Sequence, residues 1–344
     1  MIPIGIIGAS GYTGLELIRL LENHPTFGLK VITSRDHVGK TLEETFGISG
    51  SFGKLTFEAP DVENIAKRVE AVFLCVPAGT AQELAFSFLD HKVKVVDLSA
   101  DFRFRNLDLY QRTYKLTHKF PQLLYQSVYG LSEIFEEDIK KAALIGNPGC
   151  YPTATLLPLI PLIKEGLIEG EGIIVDAKSG TSGAGRKAEN YYSFCEVNED
   201  FKAYKVAGHR HTPEMEEKLS YFAKEPVKII FTPHLLPINR GILATIYVKF
   251  RRPLDYIHSY LEGFYKDKTF VRVLPLGSYP RLAEVRGTNL CKIALFEDKE
   301  RRQGIIISVI DNLIKGASGQ AIQNLNIMFG LPEDTGLPKS PLFV

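Results

Sequence analysis

Hydrophobic positions in the first 100 residues form short unbroken runs that alternate with helically spaced stretches. The first run, residues 2–7, leads into GASGYTG, and the following LELIRLLENHP has the spacing of an amphipathic helix that stops at Pro25. The same alternation continues through GLKVITSR, AVFLCVPAGTAQEL and VKVVDLSADF. This pattern predicts an α/β fold with a Rossmann-type, doubly wound parallel sheet.

The pattern changes near residue 150, where an apolar helix, ATLLPLIPLIKEGL, is followed by longer strands with few helices between them. These strands, such as VKIIFTPHLLPI and GILATIYVKF, predict a second, α+β domain with a mixed or antiparallel sheet. The last segment reads as a strand and a helix, and we expect it to return to complete the first domain. The predicted domains are residues 1–149 with 312–344, and residues 150–311, with an irregular excursion over residues 106–126.

Composition excludes several classes of protein. The chain has 344 residues, of which 45% are hydrophobic and 24% are charged, so it can bury two cores. Its formal net charge is +1 and its charges are interspersed, which predicts a small-molecule partner and neither nucleic acid nor a membrane surface. No secretory signal pattern follows Met1 and no apolar run has transmembrane length, so we expect a soluble, cytoplasmic protein.

The turn after the first strand is the strongest candidate for a nucleotide site. Glycine recurs every third residue there, and the missing side chains let a pyrophosphate approach the amides and the positive dipole of the following helix. A glycine-rich string alone also occurs in ordinary turns, but this one follows a strand and opens a helix, as the mechanism requires. The predicted dinucleotide contacts in this turn are Gly8, Ser10, Gly11, Tyr12, Thr13 and Gly14.

The end of the second strand indicates which dinucleotide is bound. About twenty residues after the glycine turn, an NAD enzyme usually presents a carboxylate to the ribose 2′-hydroxyl. Here Ser34 and Arg35 occupy that place, and a guanidinium suits a 2′-phosphate, so we predict NADP(H). Asp36 is the alternative, since its carboxylate would face the ribose of NAD. Pro77, after a later strand, is a further predicted cofactor contact.

One cysteine lies in an unusual setting. Four cysteines are scattered without a CxxC pair or metal-ligand spacing, so neither disulfides nor a metal site is predicted: Cys75, Cys150, Cys195 and Cys291. Cys150 lies in GNPGCYP just before the apolar helix, where the helix dipole lowers the pKa of a thiol and flanking prolines restrain the backbone. Cys75 and Cys291 lie in apolar runs typical of inert buried cysteines, and Cys195 stays undecided. We predict Cys150 as the nucleophile.

The segment GHRHTPE, residues 208–214, supplies candidate acids and bases. Residues i and i+2 of an extended segment point to opposite sides, so we expect one imidazole to face Cys150 and favour His211 over His209. Thr212 is the predicted N-cap and Pro213 the first residue of a following helix. Glu214 either orients a histidine or is favoured by the helix dipole.

Six segments, taken together and in this order, resemble the N-acetyl-γ-glutamyl-phosphate reductases of arginine biosynthesis: GASGYTG, TSR, DLSADFR, GNPGCYPTA, GHRHTPE and DNLIKGASGQAIQNLNIMFG. The resemblance covers essentially the whole chain, and the combination of NPGCYPTA with HRHTPE is its most specific part. The wider group includes aspartate-semialdehyde dehydrogenase. The resemblance implies that the second domain carries the catalytic and substrate site, and it implies a homodimer or homotetramer built through that domain's sheet.

The resemblance also implies a reaction and further site residues. Cys150 would attack an acyl phosphate and form a thioester that NADPH reduces to the aldehyde. The glycine-rich loop after GIIVDAK would contact nicotinamide or substrate through Ser179, Gly180, Ser182 and Gly183, although by sequence alone it is equally a flexible loop. Asn312, which the sequence alone presents as a helix cap, would contact the nicotinamide end. Arg103 and Asn147 are candidates for the substrate phosphate, with an ion pair to Asp101 as the alternative for Arg103.

Three other functions stay open at this point. The homologous reductase of lysine biosynthesis acts on a carrier-linked 2-aminoadipyl phosphate, and the chain shows no obvious basic patch for an acidic carrier. Aspartate-semialdehyde dehydrogenase is disfavoured because its nucleophile segment differs and it lacks HRHTPE. A non-catalytic sensor of dinucleotides would need only the first domain, and the combination of Cys150 with two histidines speaks against it.

Overall fold

The computed structural model describes residues 1–186 and 190–342. Two compact units account for them: the first comprises Met1–Pro148 and Ala317–Leu337, and the second comprises the described residues of Gly149–Gly316 and Pro338–Val344. Residues 149, 312–316 and 338–342, which the predicted boundaries assigned to the first domain, belong to the second unit.

A seven-stranded, fully parallel sheet forms the centre of the first unit. Its strands are β1 (Ile2–Ile7), β2 (Phe27–Thr33), β3 (Phe57–Glu58), β4 (Ala71–Leu74), β5 (Lys94–Asp97), β6 (Val128–Tyr129) and β7 (Leu144–Gly146). Their order across the sheet is β3-β2-β1-β4-β5-β7-β6. Strands such as β4 are buried along their whole length, as expected when helices cover both faces of a parallel sheet. The predicted Rossmann-type sheet is confirmed.

Seven helices connect these strands: α1 (Tyr12–Leu21), α2 (Leu42–Phe46), α3 (Val62–Ala66), α4 (Ala81–Asp90), α5 (Leu107–Tyr114), α6 (Pro121–Gln126) and α7 (Glu136–Ile139). The expectation of an irregular excursion over residues 106–126 is wrong, because this segment contains α5 and α6. Asn106 caps α5 by accepting a hydrogen bond from the Leu109 amide, and proline opens α6. The two helices have only eight and six residues, so each offers about two turns of pattern to read.

The second unit contains a mixed seven-stranded sheet. Its strands are β8 (Ile173–Ser179), β9 (Lys202–Ala203), β10 (Ile229–Leu235), β11 (Ile242–Val248), β12 (Val271–Val273), β13 (Cys291–Asp298) and β14 (Gln303–Ile310). They lie in the order β12-β13-β14-β11-β8-β10-β9. The pairs β8–β10 and β12–β13 are parallel and the other pairs are antiparallel, which confirms the predicted mixed sheet. In β8, β10 and β11 every second residue is buried, so one face of the sheet is covered.

The helices of the second unit are α8 (Cys150–Lys164), α9 (Phe194–Val197), α10 (His211–Ala223) and α11 (Leu254–Tyr265). The predicted apolar helix is α8, which is buried from Tyr151 to Ile163. A π-helical turn, Ile314–Ser318, follows β14, and α12 (Gly319–Met328) then belongs to the first unit. Within the described part of the chain, no helix has the length and hydropathy that crossing a membrane requires.

Candidate active site

The glycine turn of the first unit connects β1 to α1, as predicted. Gly8 has a φ of 86°, and a methyl group on it would lie 2.5 Å from the carbonyl oxygen of Cys75. A methyl group on Gly14 would lie 2.6 Å from the backbone of Ala9. Gly11 is the N-cap of α1, and a methyl group on it would meet no atom of the described residues within 4 Å beyond its chain neighbours. Two glycines therefore permit close packing of the turn, and the third leaves room in front of the helix N-terminus.

The strand order places the other predicted cofactor residues of the first unit near this turn. β1 lies between β2 and β4: the chain runs from β1 to β2 and β3 on one side and then crosses to β4 on the other side. The strand order thus reverses at β1, and dinucleotides bind outside the carboxyl ends of strands at such a point. Ser34, directly after β2, donates a hydrogen bond from its hydroxyl to that of Ser10 over 3.2 Å. Arg35 and Pro77, after β2 and β4, are both accessible to solvent at least in part. All four residues follow carboxyl ends of adjacent strands.

The first two residues of α1 have different surroundings. Tyr12 is exposed, whereas the side chain of Thr13 is hydrogen-bonded to the thiol of Cys75. Burial raises the pKa of Cys75 to about 12, so this thiol stays protonated at neutral pH. The carbonyl of Thr13 accepts a hydrogen bond from the hydroxyl of Ser318 over 2.9 Å, which ties α1 to the segment before α12.

Cys150 is the first residue of α8 in the second unit. Gly149 is the N-cap, and its carbonyl accepts hydrogen bonds from both the amide and the hydroxyl of Thr153, at 2.9 and 3.0 Å. The thiol thus starts a 15-residue helix whose N-terminal dipole favours a thiolate. The Cα of Gly316 packs against Cys150, since a methyl group there would lie 2.8 Å from the cysteine Cβ.

The imidazole of His211 lies against Gly149. A methyl group on Gly149 would be 2.5 Å from Nε2 and 2.7 Å from Cε1 of that ring. α10 begins at His211, with Arg210 as its N-cap, so the predicted start at Thr212 and Pro213 is wrong by two residues. The expectation that the two histidines point to opposite sides is also wrong, because their ring centroids are only 4.8 Å apart. The helical start at residue 211 replaces the extended backbone on which that expectation was based.

His209 is enclosed by rings. Its centroid lies 5.5 Å from that of Tyr151, 5.7 Å from Tyr204 and 5.3 Å from Phe231. Its Nδ1 accepts a hydrogen bond from the His211 amide over 3.1 Å, which leaves the proton of the neutral ring on Nε2. Burial, with nearby positive charges, lowers the pKa of His209 to about 4. This ring is therefore neutral at physiological pH.

Glu214 connects α10 to the start of α8. Its carboxylate is fully buried, and Oε1 accepts a hydrogen bond from the amide of Gly149 over 2.9 Å. The sequence offered a histidine or the helix dipole as its partner, and neither hypothesis anticipated a backbone amide 65 positions away. The same glycine is therefore held by a carboxylate on its N–H and by an imidazole against its Cα.

Two tyrosines near the cysteine were missed by the sequence interpretation. The hydroxyls of Tyr151 and Tyr204 lie 3.0 Å apart. Burial raises the pKa of both phenols, and the electrostatic interaction with Cys150 adds to each shift, so both stay protonated at neutral pH. Tyr151 directly follows the cysteine in GCYP, which is a signal in the sequence, but Tyr204 offers none.

The glycine-rich loop and the segment after β14 meet in the second unit. This brings together five predicted residues: Ser179, Gly180, Ser182, Gly183 and Asn312. Oδ1 of Asn312 accepts a hydrogen bond from the Gly241 amide over 2.7 Å, and Nδ2 donates to the Ser182 hydroxyl over 2.9 Å. A methyl group on Gly183 would lie 3.3 Å from the Ser179 hydroxyl. Asn312 thus orders this loop within the second unit.

Arg103, in the segment after β5, and Asn147, directly after β7, meet in the first unit. Nε of Arg103 donates to the carbonyl of Asn147 over 2.7 Å, and Nη2 donates to that of Leu98 over 3.0 Å. The Asn147 amide donates to the carbonyl of Ala317 over 3.2 Å and accepts from the Asn324 amide over 3.0 Å. Both predicted phosphate ligands are thus buried and support the backbone three residues before Cys150.

A metal centre was not predicted. Among residues 1–186 and 190–342, no three or more histidine, cysteine, aspartate or glutamate side chains are grouped so that they could hold a metal ion.

Comparisons with known proteins agree with this arrangement. The family model described as "Semialdehyde dehydrogenase, NAD binding domain" matches residues 3–142, which confirms a nicotinamide dinucleotide as the class of cofactor. The model described as "Semialdehyde dehydrogenase, dimerisation domain" matches residues 150–312, in agreement with the predicted homo-oligomer. Aspartate semialdehyde dehydrogenase II from Vibrio cholerae shares the fold, with a TM-score of 0.73 at 17% identity over 95% of this chain and 98% of that chain.

Two relatives are much closer in sequence. N-acetyl-gamma-glutamyl-phosphate reductase of Desulforapulum autotrophicum is 49% identical over 99% of both chains. The probable chloroplastic N-acetyl-gamma-glutamyl-phosphate reductase of Arabidopsis thaliana is also 49% identical, over 99% of this chain and 85% of that protein. Identity of this extent over the whole length shows that the chain belongs to the N-acetyl-gamma-glutamyl-phosphate reductase family, as its motifs predicted.

Proposed function

We propose that this protein reduces N-acetyl-L-glutamyl 5-phosphate to N-acetyl-L-glutamate 5-semialdehyde with NADPH and releases phosphate, a step of arginine biosynthesis. The observation that carries the proposal is the cysteine site of the second unit. Cys150 begins a long buried helix, and the imidazole of His211 lies against the residue before it. Membership of the reductase family supplies the substrate class.

The chemistry begins with Cys150. His211 takes the thiol proton, and the thiolate attacks the carbonyl carbon of the acyl phosphate. The bond between that carbon and the phosphate oxygen breaks, and the departing phosphate receives the proton from His211. A thioester on Cys150 remains, and the positive end of α8 stabilises negative charge that develops on its carbonyl oxygen.

The dinucleotide fits the glycine turn, because the open space at Gly11 lies in front of the N-terminus of α1. NADPH, when bound, supplies the hydride that reduces the thioester. The resulting oxyanion re-forms the carbonyl bond as the bond to sulfur breaks, which releases the aldehyde and regenerates the Cys150 thiolate.

We assign the acid and base role to His211 and a supporting role to its neighbours. His209 is a poor proton acceptor at neutral pH because burial lowers its pKa to about 4. Glu214 holds the Gly149 amide over 2.9 Å and so keeps the start of α8 beside α10. Asn312 and the loop that contains Ser182 are proposed to contact nicotinamide or substrate, and Arg103 and Asn147 to help bind the substrate phosphate.

The activity is tested by running the reaction backward with phosphate and NADP and following the absorbance of NADPH. N-acetylglutamate semialdehyde should support turnover. Aspartate semialdehyde and a carrier-linked 2-aminoadipate semialdehyde should support little. Preference for the carrier-linked compound would instead favour the reductase of lysine biosynthesis. Binding of NADP without turnover of any of the three aldehydes would favour the sensor.

NADP rather than NAD is proposed as the cofactor because Arg35 is exposed two residues after the end of the second strand of the nucleotide-binding sheet. Arg35→Ala should raise the KM for NADPH about 10- to 100-fold, since a hydrogen bond to a charged group contributes about 1.5–3 kcal/mol. The KM for NADH should change little. Asp36→Ala is the control and should leave the KM for NADPH unchanged. If Arg35→Ala raises the KM for NADPH and the KM for NADH by the same factor, Arg35 does not bind the 2′-phosphate.

A homo-oligomer is proposed to form through the outer face of the second sheet. An apolar row crosses five neighbouring strands of this sheet in register: Ile230, Ile174, Tyr247, Ile305 and Phe296. Ile230 is 63% exposed, although it lies within a strand. The match of residues 150–312 to a dimerisation domain favours a second copy of this chain as the partner that covers the row.

Ile230→Asp should therefore lower the molecular mass measured by sedimentation equilibrium, because a carboxylate in the centre of an apolar interface is left without a partner. Tyr256→Asp, which changes an exposed aromatic residue on α11, serves as the control. An unchanged mass for Ile230→Asp would place the interface elsewhere.

A further inference from the structure

The carboxylate of Asp101, in the segment DLSADFR, accepts hydrogen bonds from two other segments of the first unit. The Gly79 amide donates to both of its oxygens, at 2.7 and 2.8 Å, and the Ala81 amide donates to Oδ2 over 3.1 Å. The Tyr110 hydroxyl donates to Oδ1 over 2.7 Å. Asp101 is completely buried, and burial of a carboxylate is tolerated only when such donors compensate for lost hydration.

These hydrogen bonds cap the N-terminus of α4, which the side chain of its own N-cap residue does not do. Thr80 occupies the N-cap position, yet its side chain makes no capping hydrogen bond. The amides on either side of Thr80 are instead satisfied by Asp101, which lies about twenty residues later in the chain. Gly79 has a φ of 86°, a conformation that a carboxylate accepting its N–H can hold in place.

The segment held in this way borders the predicted dinucleotide site. Residues 75–80 connect β4 to α4 at the carboxyl end of the sheet, and β4 is the neighbour of β1, which carries the glycine turn. Pro77 is at least partly accessible in this segment, and its carbonyl accepts a hydrogen bond from the Thr80 amide over 3.1 Å. A shift of the amides of Gly79 and Ala81 would therefore move Pro77.

Other buried groups keep Asp101 in place. The Tyr110 hydroxyl accepts a hydrogen bond from the side-chain amide of Gln82 over 3.0 Å, which connects α5 to α4. The hydroxyl of Ser99 accepts from the Asp101 amide over 3.1 Å and donates to Asp97 over 2.8 Å. Burial, followed by the charge of Asp101, raises the pKa of Asp97 above its ordinary value. The two carboxylates thus belong to one hydrogen-bonded network at the end of β5.

We propose that Asp101 is a positioning residue for the dinucleotide: it caps α4 from outside the helix and thereby sets the conformation of the segment between β4 and α4. The proposal rests on the proposed function only in that the first unit binds NADPH. Asp101 acts through the backbone of Gly79 and Ala81 and has no part in the chemistry at Cys150.

The test is a fluorescence titration of the full-length protein with NADPH, combined with the rate at which iodoacetamide alkylates Cys150. Asp101→Asn keeps the shape of the side chain but turns an NH2 group toward backbone N–H donors, so NADPH binding should weaken about 10-fold or more. The alkylation rate should stay within about twofold, since only the first unit is affected. Glu83→Gln, which removes an exposed carboxylate from the same helix, is the control and should bind NADPH normally.

Tyr110→Phe gives a second, milder measurement. It removes one donor to Asp101, retains the backbone bonds, and should weaken NADPH binding about threefold. Unchanged NADPH affinity in Asp101→Asn would overturn the proposal, as would a lower melting temperature with unchanged affinity. If Asp101→Asn does not fold, unchanged affinity in Tyr110→Phe overturns it. Failure of the unsubstituted protein to bind NADPH would contradict the proposed function instead.

Discussion

Cys150→Ala should abolish turnover, with a loss of at least about 10⁴-fold in kcat for the reverse reaction with phosphate, NADP and N-acetylglutamate semialdehyde. The reason is that the proposed path passes through a covalent thioester, and alanine has no atom that can form it. The measurement is the rate of NADPH appearance at saturating substrate. Because the thiol lies at the partly accessible end of a helix that is otherwise buried, its removal should change the melting temperature only slightly.

Cys75→Ala is the matched control, since Cys75 is the cysteine whose burial raises its pKa to about 12. A thiol with that pKa has almost no thiolate at neutral pH, so this variant should retain nearly full turnover with a modest loss of stability. Comparable losses of turnover in the two variants would mean that the wrong thiol was assigned. Full activity in Cys150→Ala would refute the thioester path.

His211→Gln should lower kcat by about 10²- to 10⁴-fold, the range expected when a general acid and base is removed. Between about pH 6 and 8 the profile of kcat should also lose the contribution of this imidazole, because glutamine carries no ionisable proton. His209→Gln should leave the shape of that profile unchanged, since the pKa of His209 is about 4 and its ring is neutral over the whole range. A profile that flattens in His209→Gln and persists in His211→Gln would reverse the two roles.

The pH range matters for this comparison. The pKa of His209 falls from 6.5 in the unfolded chain to about 4 in the folded protein. The neutral ring therefore contributes stability that is fully present above about pH 6.5 and is lost as the pH falls toward 4. Rates measured above about pH 6 keep this loss small.

Gly149→Ala gives an independent measure of the position of the His211 ring. The added methyl group would lie 2.5 Å from Nε2, so the imidazole must move while the side chains of the core stay in place. A displacement of about 1 Å of a catalytic group lowers the rate by up to about 10²-fold. We therefore expect low kcat with near-normal stability. Normal kcat would show that the ring does not need its position beside Gly149.

Local features of the fold could be predicted from the sequence because they depend on neighbouring residues. The glycine turn, the strand before it and the helix after it are specified within the first 25 residues, and the structure confirms all three. The same holds for the apolar helix α8 with Cys150 at its start. The parallel sheet followed from the alternation of strands and helices before residue 150, and the mixed sheet followed from the longer strands after it.

The histidine segment shows where local information ended. The sequence predicted Thr212 as the N-cap and Pro213 as the first helical residue, yet α10 begins at His211. The two imidazoles lie beside each other among buried rings. That start has no side-chain cap of its own, so no local signal marks it. Packing against Tyr151 and Phe231 accompanies the arrangement, and these residues are far apart in sequence.

The sequence by itself determined the fold class, the reductase family, the glycine turn and the position of Cys150 at the start of α8, because each is encoded in spacing along a short segment or in motifs taken in order. Only the tertiary structure decided that Glu214 holds the Gly149 amide, that His211 lies against Gly149 and that Asp101 caps α4. A buried polar group takes its partner from whichever segment the fold places beside it, and the distance along the chain does not restrict that choice.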